Sequence, residues 1–207
     1  MRNTILKNSL LTIFIIMIFN VLTAENQKTE NVDDTFKVLL EAKLPKGFPE
    51  PGPLNKIIVK DYPECRIAKV QNGFFQNFSF MRLFMHIKGN DVSMTTPVVM
   101  KLEEKSLKRK NMAFIYGNTS IGSTGKKKGN IEVLDLPRRK YVSIGLRGYE
   151  NEKIIKDTVS KLKSWLKENK DFIIDGDPRL LGYNSPMVSA EKRYFEIQLP
   201  IKKITEE

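Results

Sequence analysis

One cysteine and one histidine occur in this chain of 207 residues, and these two scarcities remove whole classes of chemistry. A lone Cys65 forms no internal disulfide, so the fold must rest on packing. It also excludes metal sites built from several thiolates, and the single His86 excludes two-histidine zinc sites and any relay between two imidazoles. No glycine-rich phosphate loop follows a strand and opens a helix. No nucleophile has a recognisable base partner, and acid pairs such as Glu103-Glu104 fall in loops. The chain therefore reads as a non-enzyme, with a hydrolase or isomerase acting through a carboxylate kept as the alternative. Beyond the first two dozen residues there is no long apolar run.

The first residues have a composition of their own. Arg2 and Lys7 precede the uncharged run 9–22 (SLLTIFIIMIFNVL), and Thr23-Ala24 precede the polar Glu25. That order predicts a secretory signal peptide over 1–24, its apolar run shorter than the roughly 20 residues that a bilayer span requires. An uncleaved anchor is the other reading. Removing 1–24 takes two of the 35 basic residues and none of the 24 acids, leaving a charge of +9. Residues 25–53 are polar and then rich in proline and glycine (LPKGFPEPGP), which predicts a flexible arm before a domain over 54–204. The lysine-rich surface is read as solvated, with general attraction to anions but no specific nucleic-acid site. Membrane contact is expected only in passing, through the signal peptide.

The domain repeats itself. Residues 57–74 lie over 131–148, so that Ile57, Val59, Asp61 and Pro63 meet Ile131, Val133, Asp135 and Pro137 at one constant offset. A slip of one residue then sets Gly73-Phe74 over Gly148-Tyr149. Each copy continues into a helical segment and a strand-like segment with an internal proline, Pro97 or Pro186. Strand, strand, helix, strand, strand is thus used twice. Two copies are too few for a solenoid, so the halves are expected to close on each other. Residues 93–102, 141–146 and 193–201 alternate apolar and polar positions as strands do, with Phe195, Ile197, Leu199 and Ile201 inward. Pro97 implies an edge strand or a bulge. Loops 103–110 and 117–129, the latter with Lys126-Lys127-Lys128, are expected to be solvated.

The two helices differ. Residues 151–169 place Ile154, Ile155, Thr158, Val159, Leu162, Trp165 and Leu166 on one face, as a helix lying on a sheet does. Residues 75–87 carry two stripes, Phe75, Phe78, Met81 and Met85 beside Phe80, Leu83, Phe84 and Ile87. A short helix apolar on most of its circumference needs two surfaces to bury, or one surface and a ligand. Cys65 is expected as a small buried residue and His86 as a helix-end hydrogen bonder, with iron ligation the alternative. Asn77 and Asn118 fit the N-glycosylation pattern, and Asn118, in a polar loop, is the better acceptor.

YPECRIAKV, then LFMHIKGNDVSMTTPVV, then LLGYNSPMVSAEKRYFEIQL resemble the SOUL family of haem-binding proteins from about Lys56 to Ile201. The paired M-T-x-P-V strand and later G-Y-N-x-P segment are the specific signal. The resemblance implies an α+β fold, a distorted, mostly antiparallel β-barrel of two pseudo-symmetric ββαββ-like halves with two helices packed outside. It implies haem or porphyrin held reversibly in a shallow apolar groove beside the first helix. Phe80, Met81, Phe84 and Met85 would face the ring, with Met187 approaching from the G-Y-N-x-P loop, and Arg82, Lys88, Lys192 and Arg193 would reach the propionates. Where one branch of the family carries a histidine in the YPECR strand, this chain has Glu64, Cys65 and Arg66. Where some members carry a basic residue after the loop proline, it has Val188. Non-catalytic binding of a tetrapyrrole by an exported, periplasmic or extracellular monomer is the resulting expectation. The alternative is a module for another amphipathic molecule or a protein partner, or a hydrolase-type enzyme on the same barrel.

Overall fold

A computed structural model of the chain describes residues 36–71 and 76–204, all within one compact unit, Asp34–Glu207. The signal peptide expected over 1–24, the first part of the arm and Phe75 lie outside the described residues. The elements run β1 Ile57–Tyr62, β2 Cys65–Gln71, α1 Gln76–Gly89, β3 Val98–Leu102, β4 Arg109–Ile115, β5 Gly125–Lys127, β6 Ile131–Leu136, β7 Arg139–Arg147, α2 Glu152–Glu168, β8 Phe172–Ile174, β9 Arg179–Gly182 and β10 Tyr194–Lys203. The class is α+β, two helices on a mostly antiparallel sheet.

The sheet order carries the duplication. It runs β1-β7-β10-β9-β3-β4-β2-β6-β5, with β8 added on β10. Exchanging β1, β2, β3 and β4 for β6, β7, β9 and β10 reverses this order onto itself, so the pseudo-two-fold passes between β3 and β9. The short β5 and β8 stand outside the repeat. Each half gives its first strand to the other: β1 pairs with β7 (Ile57 opposite Ile144) and β6 with β2 (Leu136 opposite Cys65). This exchange makes the halves one domain, since neither keeps its own sheet without the other.

The ladders do not close. β1 and β5 end the path, and no ladder joins them among the described residues, so the expected closed barrel is corrected to an open sheet. The cause is local. Gly125, Lys126 and Lys127 of β5 pair with Val133, Glu132 and Ile131 on the outer edge of β6, which a closing ladder to β1 would use. Lysines on that short edge strand discourage further pairing.

Both faces of the sheet are covered. Phe195, Ile197, Leu199 and Ile201 of β10 join Leu83 and Ile87 of α1 and Ile155, Val159, Leu162 and Leu166 of α2 in the larger core. The alternate residues Tyr194, Glu196 and Gln198 point the other way and are just as buried. On that second face Tyr62, Tyr141, Leu181, Tyr183 and Tyr194 pack with Phe36, Val38, Leu44 and Phe48 of the arm. From Phe36 onward, therefore, the expected flexible arm is packed chain. Its apolar side chains cover the second face, and its backbone is tied by Lys46 N to Gly117 O (2.9 Å) and Thr96 N to Lys43 O (3.1 Å).

Three further details differ from the sequence expectation. β3 is central, between β9 and β4, and begins just after Pro97, where the missing N–H costs no ladder bond; the irregularity falls later, between Lys101 and Leu102. Pro186 lies in the β9–β10 connection rather than in a strand. Part of the expected loop 117–129 is β5, and Arg66 holds the rest by donating to Gly122 O (2.7 Å) and Ile121 O (3.1 Å).

Candidate functional site

Helix α1 is positioned by its buried residues, Ser79, Leu83 and Ile87, which rest against β2 and β4. It stops where Asp91 turns left-handed (φ 54°) and the Asn90 side chain donates to His86 O (2.7 Å). At about 100° per residue, Phe80, Phe84, Met81, Met85 and Phe78 follow one another around the helix outside the buried stripe. All five are exposed, Met85 to 61%. Phe80 and Phe84 stack with ring centroids 6.2 Å apart and 11° between planes, and Phe80 meets the buried Phe114 edge-on at 5.1 Å. The second stripe expected from the sequence is thus split: its Leu83 and Ile87 are buried, while its Phe80 and Phe84 join Phe78, Met81 and Met85 of the first in one exposed apolar band. A band of this size on a helix otherwise docked to a sheet is a binding-surface feature.

Alongside the band lies an open groove of about 410 Å³. Phe78, Met81, Met85 and Ile131 form its apolar wall, Arg82 and Lys128 supply cations, and His86 and Asn90 border it. Left-handed turns at Gly129 (φ 78°) and Asn130 (φ 58°) bring residues 128–131 to the helix.

Of the residues expected from the sequence, Met81, Arg82 and Met85 line this groove, while Phe80 and Phe84 continue the band beside it. Lys88 is exposed in the last helical turn. Met187, Lys192 and Arg193 do not line the groove. Met187 is 92% exposed in the β9–β10 connection. Arg193 donates to Ser185 O (2.8 Å) and lies over the Tyr149 ring at 4.6 Å. Lys128 and Ile131 could be placed here only by the fold, although Gly129-Asn130 is a readable turn signal. His86 Nε2 lies 2.9 Å from the hydroxyl of the buried Tyr116. Burial, assisted by Lys127, pulls the His86 imidazole below its ordinary range, which favours its neutral form. That contact gives His86 a packing role, in line with the helix-end reading. Among the described residues no group of three or more His, Cys, Asp or Glu side chains could hold a metal.

On the far face, Glu196 is fully buried and surrounded by donors. Lys60 Nζ (2.7 Å) and Gly52 N (2.7 Å) reach Oε1, and Ser143 Oγ (2.9 Å) and Gln198 Nε2 (2.6 Å) reach Oε2. Burial pushes this carboxyl up, but Lys60 and these hydrogen bonds outweigh it and hold Glu196 below its ordinary range. The Lys60 ammonium is pulled down by the same burial, opposed by Glu196.

The SOUL heme-binding protein family matches residues 52–200, which is most of the chain. This protein belongs to that family. The SOUL segments can now be placed: Thr96, at the x of M-T-x-P-V, donates to Tyr183 O of G-Y-N-x-P (3.1 Å), joining the halves beside the pseudo-two-fold. Asn184 of the same motif accepts from Tyr194 N (2.8 Å) and donates to Leu39 O (2.7 Å), clamping the arm to β10. The two signature segments are thus architectural in this SOUL protein.

A search of curated proteins found no match. Among solved structures, the EcmrR C-terminal domain is 20% identical with a TM-score of 0.53 over 72% of this chain and 98% of that one. An uncharacterized conserved protein from Listeria innocua is 11% identical with a TM-score of 0.52, covering 73% and 94%. A hydrolase from Listeria innocua is 12% identical with a TM-score of 0.50, covering 73% and 94%. At these identities the likeness is one of fold.

Proposed function

We propose that this SOUL protein binds haem or a related porphyrin reversibly and without catalysis, on the exposed band of α1, and that it does so after export directed by residues 1–24. The observation that carries the reading is the band itself, five exposed apolar side chains on a docked helix beside a groove bearing two cations, in a chain of a heme-binding family. A porphyrin is a flat apolar disc with two carboxylates. Phe80, Phe84, Met81 and Met85 suit its face, and Arg82 and Lys128 suit its rim. Ring burial then supplies most of the affinity, and iron little.

The test is titration of the full chain with haemin and with metal-free protoporphyrin, followed by absorbance and intrinsic fluorescence. Similar affinities are expected. Met85→Asp, at a site too exposed to disturb the core, should weaken both ligands by about tenfold or more, the equivalent of one apolar side chain's burial. Failure to bind either ligand, or an unchanged affinity in Met85→Asp, would refute the reading.

A further inference from the structure

The second face of the sheet holds a feature unrelated to the α1 groove. Phe48 of the arm arches over β1 and β7 and meets Tyr62 edge-on, centroids 5.2 Å apart, enclosing a cavity of about 70 Å³. Its wall is apolar, with Phe48, Ile67, Val99, Ile115 and Leu136, and Cys65 borders it. Two cations also line it, Arg139, which is paired with Asp175, and Arg179. Arg179 lines the cavity with its guanidinium carbon 3.4 Å from the Tyr141 ring centroid and 4.5 Å from that of Tyr62. Its Nε donates to Gln198 Oε1 (2.8 Å), while its buried Nη2 has no hydrogen-bond acceptor among the described residues.

Three nearby carboxylates are already committed. Glu196 is neutralised by Lys60, Asp175 pairs with Arg139, and Asp177 pairs with Lys101 and Lys110. Arg179 is left as a guanidinium without a carboxylate partner among the described residues. The tyrosine faces orient it and offset part of its desolvation, but a buried guanidinium donor without an acceptor is costly. An oily cavity beside an uncompensated cation suits an amphipathic anion, with hydrocarbon against Ile67, Val99 and Ile115 and a carboxylate toward Arg179. Size narrows the class further. About 70 Å³ is roughly two waters' share of liquid volume, so the occupant is a short carboxylate at most and a tetrapyrrole is excluded.

We infer that this cavity is a binding site for short-chain monocarboxylates, with Arg179 as the anion-recognising residue. It is independent of the porphyrin reading and survives that reading's failure.

Cys65 is the only thiol in the chain and borders the cavity, so its alkylation reports occupancy at this place. The full chain is treated with iodoacetamide at fixed pH and ionic strength, with butyrate, butyramide or butylammonium as competitor. Butyrate is expected to slow alkylation in a saturable way, at concentrations at least about tenfold lower than butyramide, the ratio of one charge-assisted hydrogen bond. Arg179→Gln should bring the butyrate midpoint to that of butyramide. Because the three competitors act on the unaltered protein, the outcome does not depend on the variant folding. Equal protection by butyrate and butyramide, stronger protection by butylammonium, or no protection by butyrate would each overturn the assignment.

Discussion

Replacing Lys60 by methionine isolates the buried ion pair on the second face of the sheet. The side chains of Lys60 and Glu196 are 3% and 0% exposed and meet at 2.7 Å, so the variant keeps most of the volume and removes the one cation bonded to a buried carboxylate. Breaking such a pair from one side costs about 3–5 kcal/mol. The chain can limit that cost by protonating Glu196. From an ordinary carboxyl pKa near 4.5, holding a proton at pH 7 costs roughly 1.36 kcal/mol per pH unit, about 3.4 kcal/mol, and at pH 5 only about 0.7 kcal/mol. Lys60→Met should therefore lose about 3 kcal/mol at pH 7, a fall of about 6–12 °C in melting temperature, and markedly less at pH 5. The sign is the reverse of the unaltered protein, where Glu196 is held below its ordinary range and contributes stability that is present above that range and lost as pH falls. The double variant Lys60→Met/Glu196→Gln should return to within about 1 kcal/mol of the unaltered protein and lose the pH dependence, since an apolar and amide replacement leaves no buried charge. Chemical denaturation of the full chain at pH 5 and pH 7 measures all three. A loss below about 1 kcal/mol at pH 7, or the same loss at both pH values, would refute the account of Glu196 as a buried ion held by Lys60.

Gly145→Ala should destabilise the protein strongly, because a Cβ there would run into the Tyr194 hydroxyl and come within 2.9 Å of Pro53 O; overpacking of this kind costs about 1–3 kcal/mol, and an unchanged melting temperature would show that the arm yields freely. Burial pushes the Cys65 thiol up to about 11, so its alkylation rate should go on rising with pH well past the ordinary thiol range; a plateau below pH 9 would contradict the buried setting. Asp61 is held well below the carboxylate range by Arg138 and Lys140, and Asp135 and Asp175 are lowered by Arg66 and Arg139. Carboxyls with depressed values stabilise above the ordinary carboxylate range and cease to do so as pH falls through them. Acid unfolding should accordingly set in only below about pH 4, and be followed by circular dichroism; stability that rises as pH falls from 5 to 3 would be inconsistent with these pairs.

Residue patterning determined the element order and the duplication, and it marked α1 as apolar around most of its circumference. The constant offset that sets Ile57 on Ile131 became β1 and β6, six residues each, and one-sided spacing placed Ile155, Val159 and Leu162 under α2 as expected. Periodicity records which side chains share a face, because each element's geometry is local. It does not record what covers that face. Glu196 and Gln198 alternate with Phe195 and Ile197 as solvent-facing residues would, and only the arm folding across the sheet made them interior. Strand exchange, the edge taken by β5, and the meeting of Lys128 with α1 likewise depend on contacts between residues far apart in the chain. The placement of Arg179 beside an oily cavity was therefore decided by tertiary packing alone.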